Sequence, residues 1–199
     1  MKIITFLLLS LFSINSVMAS THILFLGDSL SEGQGLDENQ SFPRLVEKSL
    51  KEKKYDVVVT NGGVSGSTTA SGVTRLKWHL KKKTDILVLE LGANDGLRGI
   101  KLVETNKNLI EIIKYAKEKK VKVLLLGLLM QPNYGKKYTE EFEQMYKKIA
   151  LAEKIPFLPF LLNDVAGRSE LNLADGIHPN AKGHEIVAKL VTAFVEKNL

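Results

Sequence analysis

Four short segments of this chain hold residue types that fit a single reaction: Gly27-Asp28-Ser29-Leu30, Gly63-Val64-Ser65-Gly66, Gly92-Ala93-Asn94-Asp95 and Asp175-Gly176-Ile177-His178. Ser29 offers a hydroxyl nucleophile. Gly66 can present a backbone N–H without side-chain obstruction, and Asn94 a side-chain amide, to a developing oxyanion. His178 can take the serine proton while Asp175, three residues earlier, holds the imidazole in one tautomer. Each segment alone has a plainer reading, because Asp-Ser pairs cap helices and Gly and Asn fill turns. Asp175 and His178 alone would be an ordinary turn ahead of a helix. Together the four predict acyl transfer through a serine, hence hydrolysis of esters or thioesters.

The elements that must position them alternate along the chain. Apolar runs at His22 to Leu26, Val57 to Thr60, Ile86 to Leu91 and Val121 to Leu126 each end at Gly or Asn-Gly. Such runs, continuous rather than alternating, are expected of parallel strands covered on both faces. Ile155 to Phe160, interrupted by prolines, predicts a weaker fifth strand at an edge. Between them, Phe42 to Leu50, Val73 to Leu80, Val103 to Lys117 and Glu140 to Leu151 carry helical apolar spacing. Ile186, Val187, Leu190, Val191, Phe194 and Val195 form the clearest stripe. Strand and helix in alternation predict a three-layer α/β/α domain on a five-stranded, mostly parallel sheet. Ser29, Gly66 and Asn94 then follow successive strands and converge on the edge where α/β sheets bind ligands.

The chain has 199 residues, a formal net charge of +6 and no cysteine. No disulfide or thiolate metal site is therefore available. Lys2, the apolar stretch Ile3 to Phe12 and Val17-Met18-Ala19 predict a signal peptide over 1–19, with a single exported domain over 20–199 and a periplasmic or secreted location. The basic balance invites a nucleic-acid reading. Its placement argues otherwise: Lys51, Lys53 and Lys54, then Lys81 to Lys83, then Lys117, Lys119 and Lys120 each precede a strand. They complement helix C-termini at the edge away from the chemistry. What remains is a weak contact with an anionic membrane surface. No nucleic acid and no obligate protein partner is expected.

No Gly-x-Ser-x-Gly elbow occurs, and His184 to Ala188 lacks the second histidine of a zincin. His184 reads as a surface residue of the last helix. Pro179 reads as the start of that helix.

The set Ser29, Gly66, Asn94 and His178 resembles the SGNH superfamily, the GDSL hydrolases, and does so over essentially all of residues 20–199. Glu90 to Gly99, Pro132-Asn133-Tyr134-Gly135 and Asp175 to Asn180 resemble in particular the subgroup of bacterial periplasmic acyl-CoA thioesterases, lysophospholipases and arylesterases. The resemblance implies a flavodoxin-like fold and a triad of Ser29, Asp175 and His178. It implies an oxyanion hole of the Ser29 and Gly66 N–H groups with the Asn94 amide. Met130 to Tyr138 would be the acyl-binding loop, although Gln131 and Gly127-Leu128-Leu129 differ from the subgroup's pattern. The activity it implies is that of a serine esterase with thioesterase capacity, acting on small acyl esters or thioesters without metal or cofactor. The rivals are a carbohydrate O-acetylesterase of the same superfamily and a non-catalytic acyl- or lipid-binding protein.

Overall fold

The computed structural model describes residues 20–199; the signal peptide expected over 1–19 lies outside the described residues. Five strands form one sheet: β1 Thr21–Leu26, β2 Val57–Asn61, β3 Ile86–Leu89, β4 Lys122–Leu126 and β5 Phe157–Leu158. Every pairing is parallel, in the order β2-β1-β3-β4-β5, the flavodoxin-like arrangement. Helices α1 Ser29–Glu32, α2 Phe42–Glu52, α3 Gly72–His79, α4 Ala93–Leu97, α5 Leu102–Glu118, α6 Lys136–Glu153 and α7 Ala181–Glu196 connect and cover the strands. α2 packs with α7, while α3, α5 and α6 pack in series, which gives the expected three layers.

Burial follows strand position. β1, β3 and β4 lie inside the sheet, and from Ile23 to Leu26, Ile86 to Leu89 and Val123 to Leu126 every residue is buried. β2 departs from the continuous burial expected of it. It is an edge strand with α2 against one face, so Val57 and Val59 are buried while Val58 is 39% exposed. β5 is the other edge and only two residues long. Pro156 and Pro159, which have no N–H to donate, flank it, and just beyond them the Leu161 N–H reaches the Gly127 carbonyl at 2.9 Å.

The order in which strands are added reverses at β1. β2 lies on one side of it and β3 on the other, which opens a crevice at the C-terminal ends of β1 and β3. Ser29 and Asn94 emerge there.

At the opposite edge three helices end alike. Lys54, Lys120 and Lys154 adopt left-handed backbone conformations, with φ of 71°, 61° and 51°. The next residue's N–H then returns to a carbonyl in the last turn: Tyr55 to Leu50 at 3.0 Å, Val121 to Ala116 at 3.0 Å and Ile155 to Ala150 at 3.1 Å. This is the Schellman closure, usually given to glycine.

Candidate active site

Ser29 opens the single turn α1, immediately after β1, and its side chain is largely buried. Asp28 caps that turn, accepting the Leu30 N–H at 3.0 Å. The plainer capping reading therefore holds for Asp28, and it leaves Ser29 free for another task. His178 Nε2 lies 2.8 Å from Ser29 Oγ, and His178 Nδ1 lies 2.7 Å from Asp175 Oδ2. The other Asp175 oxygen accepts the Ile177 and His178 backbone N–H groups at 2.9 and 3.0 Å.

These bonds to Asp175, the His178 N–H foremost and the His178 ring after it, hold the carboxyl down at about 2. An ionised Asp175 fixes the hydrogen on Nδ1 and aims the Nε2 lone pair at the serine. The loop itself is anchored below. Leu173 N–H reaches the His178 carbonyl at 2.8 Å, and Asn172 Nδ2 donates to the Val165 and Arg168 carbonyls at 2.8 and 2.7 Å.

Gly66 lies on the loop after β2 with φ +74°, a conformation that disfavours any side chain. Its carbonyl accepts Arg98 Nη2 at 2.8 Å. Among the described residues neither the Gly66 nor the Ser29 N–H donates to a protein acceptor. The Ser29 N–H is one of the orphan donors of a helix start. Asn94, in α4, donates Nδ2 to Asp28 Oδ2 at 3.1 Å. An amide nitrogen has two hydrogens, so one anchors the group and the other stays available. The arrangement can bind a carbonyl oxygen, attack its carbon and move one proton.

Two sequence expectations change. His184 is not a surface residue: it is 1% exposed, and its Nδ1 accepts the Phe42 N–H at 3.0 Å, joining α7 to the start of α2. Burial first, and His178 nearby second, push it down to about 4, so it is neutral. Pro179 precedes α7 rather than starting it; Asn180 caps the helix through the Gly183 N–H at 3.1 Å.

The sequence reading passed over Glu90, which is completely buried beneath Asp28. Its signal was a lone acid in the apolar run Ile86 to Leu91. It also passed over Arg75, whose Nη2 donates to the Gly27 carbonyl at 2.8 Å and to the Gly62 carbonyl. Among the described residues no cluster of three or more metal-ligating side chains occurs.

Residues 25–186 match the model of the GDSL-like lipase/acylhydrolase family. The chain belongs to this family. Esterase TesA of Pseudomonas aeruginosa is 40% identical over 172 residues, 86% of each chain. Thioesterase 1/protease 1/lysophospholipase L1 of Escherichia coli strain K12 is 35% identical over 184 residues, 92% of this chain and 86% of that one. The crystal structure of the esterase EstA from Pseudoalteromonas sp., inhibited by monoethylphosphonate, superposes with a TM-score of 0.85 at 29% identity. It covers 89% of this chain and 98% of EstA. The family relationship therefore spans most of the α/β/α domain, from the end of β1 into α7.

Proposed function

We propose that the protein is a serine esterase with thioesterase capacity that works through an acyl-enzyme on Ser29. The observation that carries this reading is the continuous line Ser29 Oγ, His178, Asp175, with separations of 2.8 and 2.7 Å. Ser29 Oγ attacks the acyl carbon while His178 Nε2 accepts its proton. The carbonyl electron pair moves onto oxygen, where the Ser29 and Gly66 N–H groups and the free Asn94 hydrogen stabilise it. The intermediate collapses, the ester or thioester bond breaks, and His178 returns the proton to the leaving alcohol or thiol. A water molecule repeats the sequence on the acyl-enzyme, releasing the carboxylic acid and Ser29. Asp175 stays ionised throughout and keeps the imidazole oriented.

The substrates in this reading are aryl esters, acyl-CoA thioesters and lysophospholipids. Support comes from the relatives' names and from Val64, Leu97, Leu129, Tyr134 and Ile177. These large apolar side chains are exposed on segments that follow strands, or precede α7, at the edge of Ser29. Export to the periplasm, after loss of 1–19, belongs to the same proposal. Among the described residues no helix is long and apolar enough to cross a membrane.

Hydrolysis rates over aryl esters from two to sixteen carbons, beside acyl-CoA and acetylated sugars, test the assignment. Activity on aryl and longer acyl esters is expected. Activity confined to acetylated sugars would replace the reading with an O-acetylesterase, and binding without turnover would replace it with an acyl carrier.

A further inference from the structure

Beneath the proposed nucleophile lies a buried acid with no place in the reaction just described. Glu90 follows β3 directly, and its Oε2 accepts the Ser31 hydroxyl at 2.7 Å and the Asp28 N–H at 3.2 Å. Asp28 divides its own oxygens: Oδ1 caps α1 through the Leu30 N–H at 3.0 Å, and Oδ2 holds the Asn94 amide at 3.1 Å. Gly27 completes the packing, since a Cβ there would overlap Ser31 Oγ and the Glu90 carboxyl. One side chain thus touches both the turn that carries Ser29 and the residue that orients Asn94. We propose that Glu90 is a positioning residue of the oxyanion hole, acting through Asp28 as a neutral acid. This inference rests on the serine-hydrolase reading.

The surroundings favour the neutral form. Facing Glu90 and Asp28 are Ser31 from α1, Asn94 from α4, and Arg75 from α3. Tyr146 from α6 also approaches, its hydroxyl donating to the Leu91 carbonyl at 2.9 Å. His178 adds its field to Asp28. Arg75 is the cation at hand, yet its Nη2 is bonded to the Gly27 and Gly62 carbonyls. Among the described residues, buried Arg75 Nη1 and Glu90 Oε1 have no hydrogen-bond partner. An ionised Glu90 would leave a charged oxygen uncompensated in the core.

Burial raises both carboxyls. Asp28 is pushed up to about 6, and Glu90 well above the usual carboxylate range with the Asp28 charge adding to the effect. Two such groups share one proton at neutral pH. Glu90, the deeper, keeps it, while its Oε2 goes on accepting the Asp28 N–H. The Asp28 carboxylate then remains a double acceptor for Leu30 and Asn94.

Three variants, measured on one aryl ester together with fluorophosphonate labelling of Ser29, test this. Glu90→Ala is expected to lower kcat about 10–100-fold, short of the roughly 10²–10³ for loss of an oxyanion donor outright, with KM within about twofold. Glu90→Gln should restore kcat to within about threefold of wild type, because an amide also pairs a neutral donor with an acceptor. Asp28→Asn offers one acceptor where two are used, and should lower kcat about tenfold or more. Full kcat in folded Glu90→Ala would overturn the positioning role. Glu90→Gln as impaired as Glu90→Ala, both folded, would overturn the neutral acid. If Glu90→Ala does not fold, unchanged kcat in Asp28→Asn overturns the proposal instead. Failure of the serine reading looks different: wild type would then escape labelling at Ser29, and Ser29→Ala would keep its activity.

Discussion

At the C-terminal ends of the strands, polar groups are buried and share partners; at the N-terminal ends, charges are exposed and paired singly. Asp28, Glu90 and His184 are each no more than 1% exposed, and each has its proton affinity displaced by burial. Across the sheet, Lys53 pairs with Glu196, Lys117 with Glu153 at 2.8 Å and Lys83 with Asp85 at 3.3 Å, all at least partly solvated. Exposed pairs of that kind contribute about 0–1 kcal/mol each. Positive charge, which dominates the composition, therefore says little about the chemistry. The groups whose proton affinity is displaced are few and out of water, where charges interact most strongly.

The largest expected effect of breaking this division is at Ser29. Ser29→Ala should cut kcat by on the order of 10⁴-fold or more on every ester and thioester, with the fold retained. A fluorophosphonate probe should label wild type and leave the variant unmodified. Appreciable turnover by the variant would falsify the nucleophile.

Asn94→Ala comes next, with a loss of roughly 10²–10³ in kcat and little change in KM, because the amide meets charge that exists only in the transition state. A rise in KM at constant kcat would make Asn94 a ground-state contact. The chemistry edge would then hold one oxyanion donor fewer.

His184 sharpens the comparison through stability. Its folded value, about 4, lies below its ordinary 6.5, so the unfolded chain binds more protons between those values. Stability from this group is complete above about pH 6.5 and is lost as pH falls toward about 4. Asp28 and Glu90, with raised values, act in the opposite sense, so the measurement is a difference. His184→Asn keeps an acceptor for the Phe42 N–H but does not titrate. Wild type should lose roughly 2–3 kcal/mol relative to that variant between pH 7 and 4, read from urea midpoints. Parallel pH profiles would mean that His184 is solvated in solution.

Replacing Lys81, Lys82 and Lys83 together by Gln should have the smallest effect, under twofold in kcat/KM toward a neutral aryl ester. Ile86 to Leu91 separates them from Asn94 by about 20 Å at roughly 3.3 Å per residue. That exceeds the screening length of about 8 Å at physiological salt. Rates on anionic vesicles, measured beside the soluble ester, would reveal any membrane contact at this edge. A tenfold loss on the soluble ester would erase the distinction between the two edges.

Much of this was legible in the sequence because strand ends mark themselves. Apolar runs broken at Gly27, Gly62 and Gly92 locate the loops that carry Ser29, Gly66 and Asn94. What stayed hidden depends on neighbours distant in sequence. Val58 looks as buried as Val57 until strand order places β2 at the edge. His184 sits on a helix face that reads as surface until α2 closes over it. Glu90 opens the segment Glu90 to Gly99, but only the approach of Asp28 and Ser31, at the start of α1, gives its carboxyl partners.

The left-handed lysines at the far edge bear on heat tolerance. Holding a side chain in that region costs roughly 1–2 kcal/mol. Glycine would remove the cost while loosening the unfolded chain by about 0.4–1 kcal/mol. The charge of each lysine also complements its helix C-terminus by about 0.3–1 kcal/mol, so the net change on exchanging Lys54, Lys120 or Lys154 for glycine is within about 1 kcal/mol. For a domain of this size, 1 kcal/mol is worth about 2–4 °C. These three junctions form a thermal adjustment that lies a full strand length from the serine, so the chain can be tuned toward warmer or colder surroundings without disturbing its catalytic crevice.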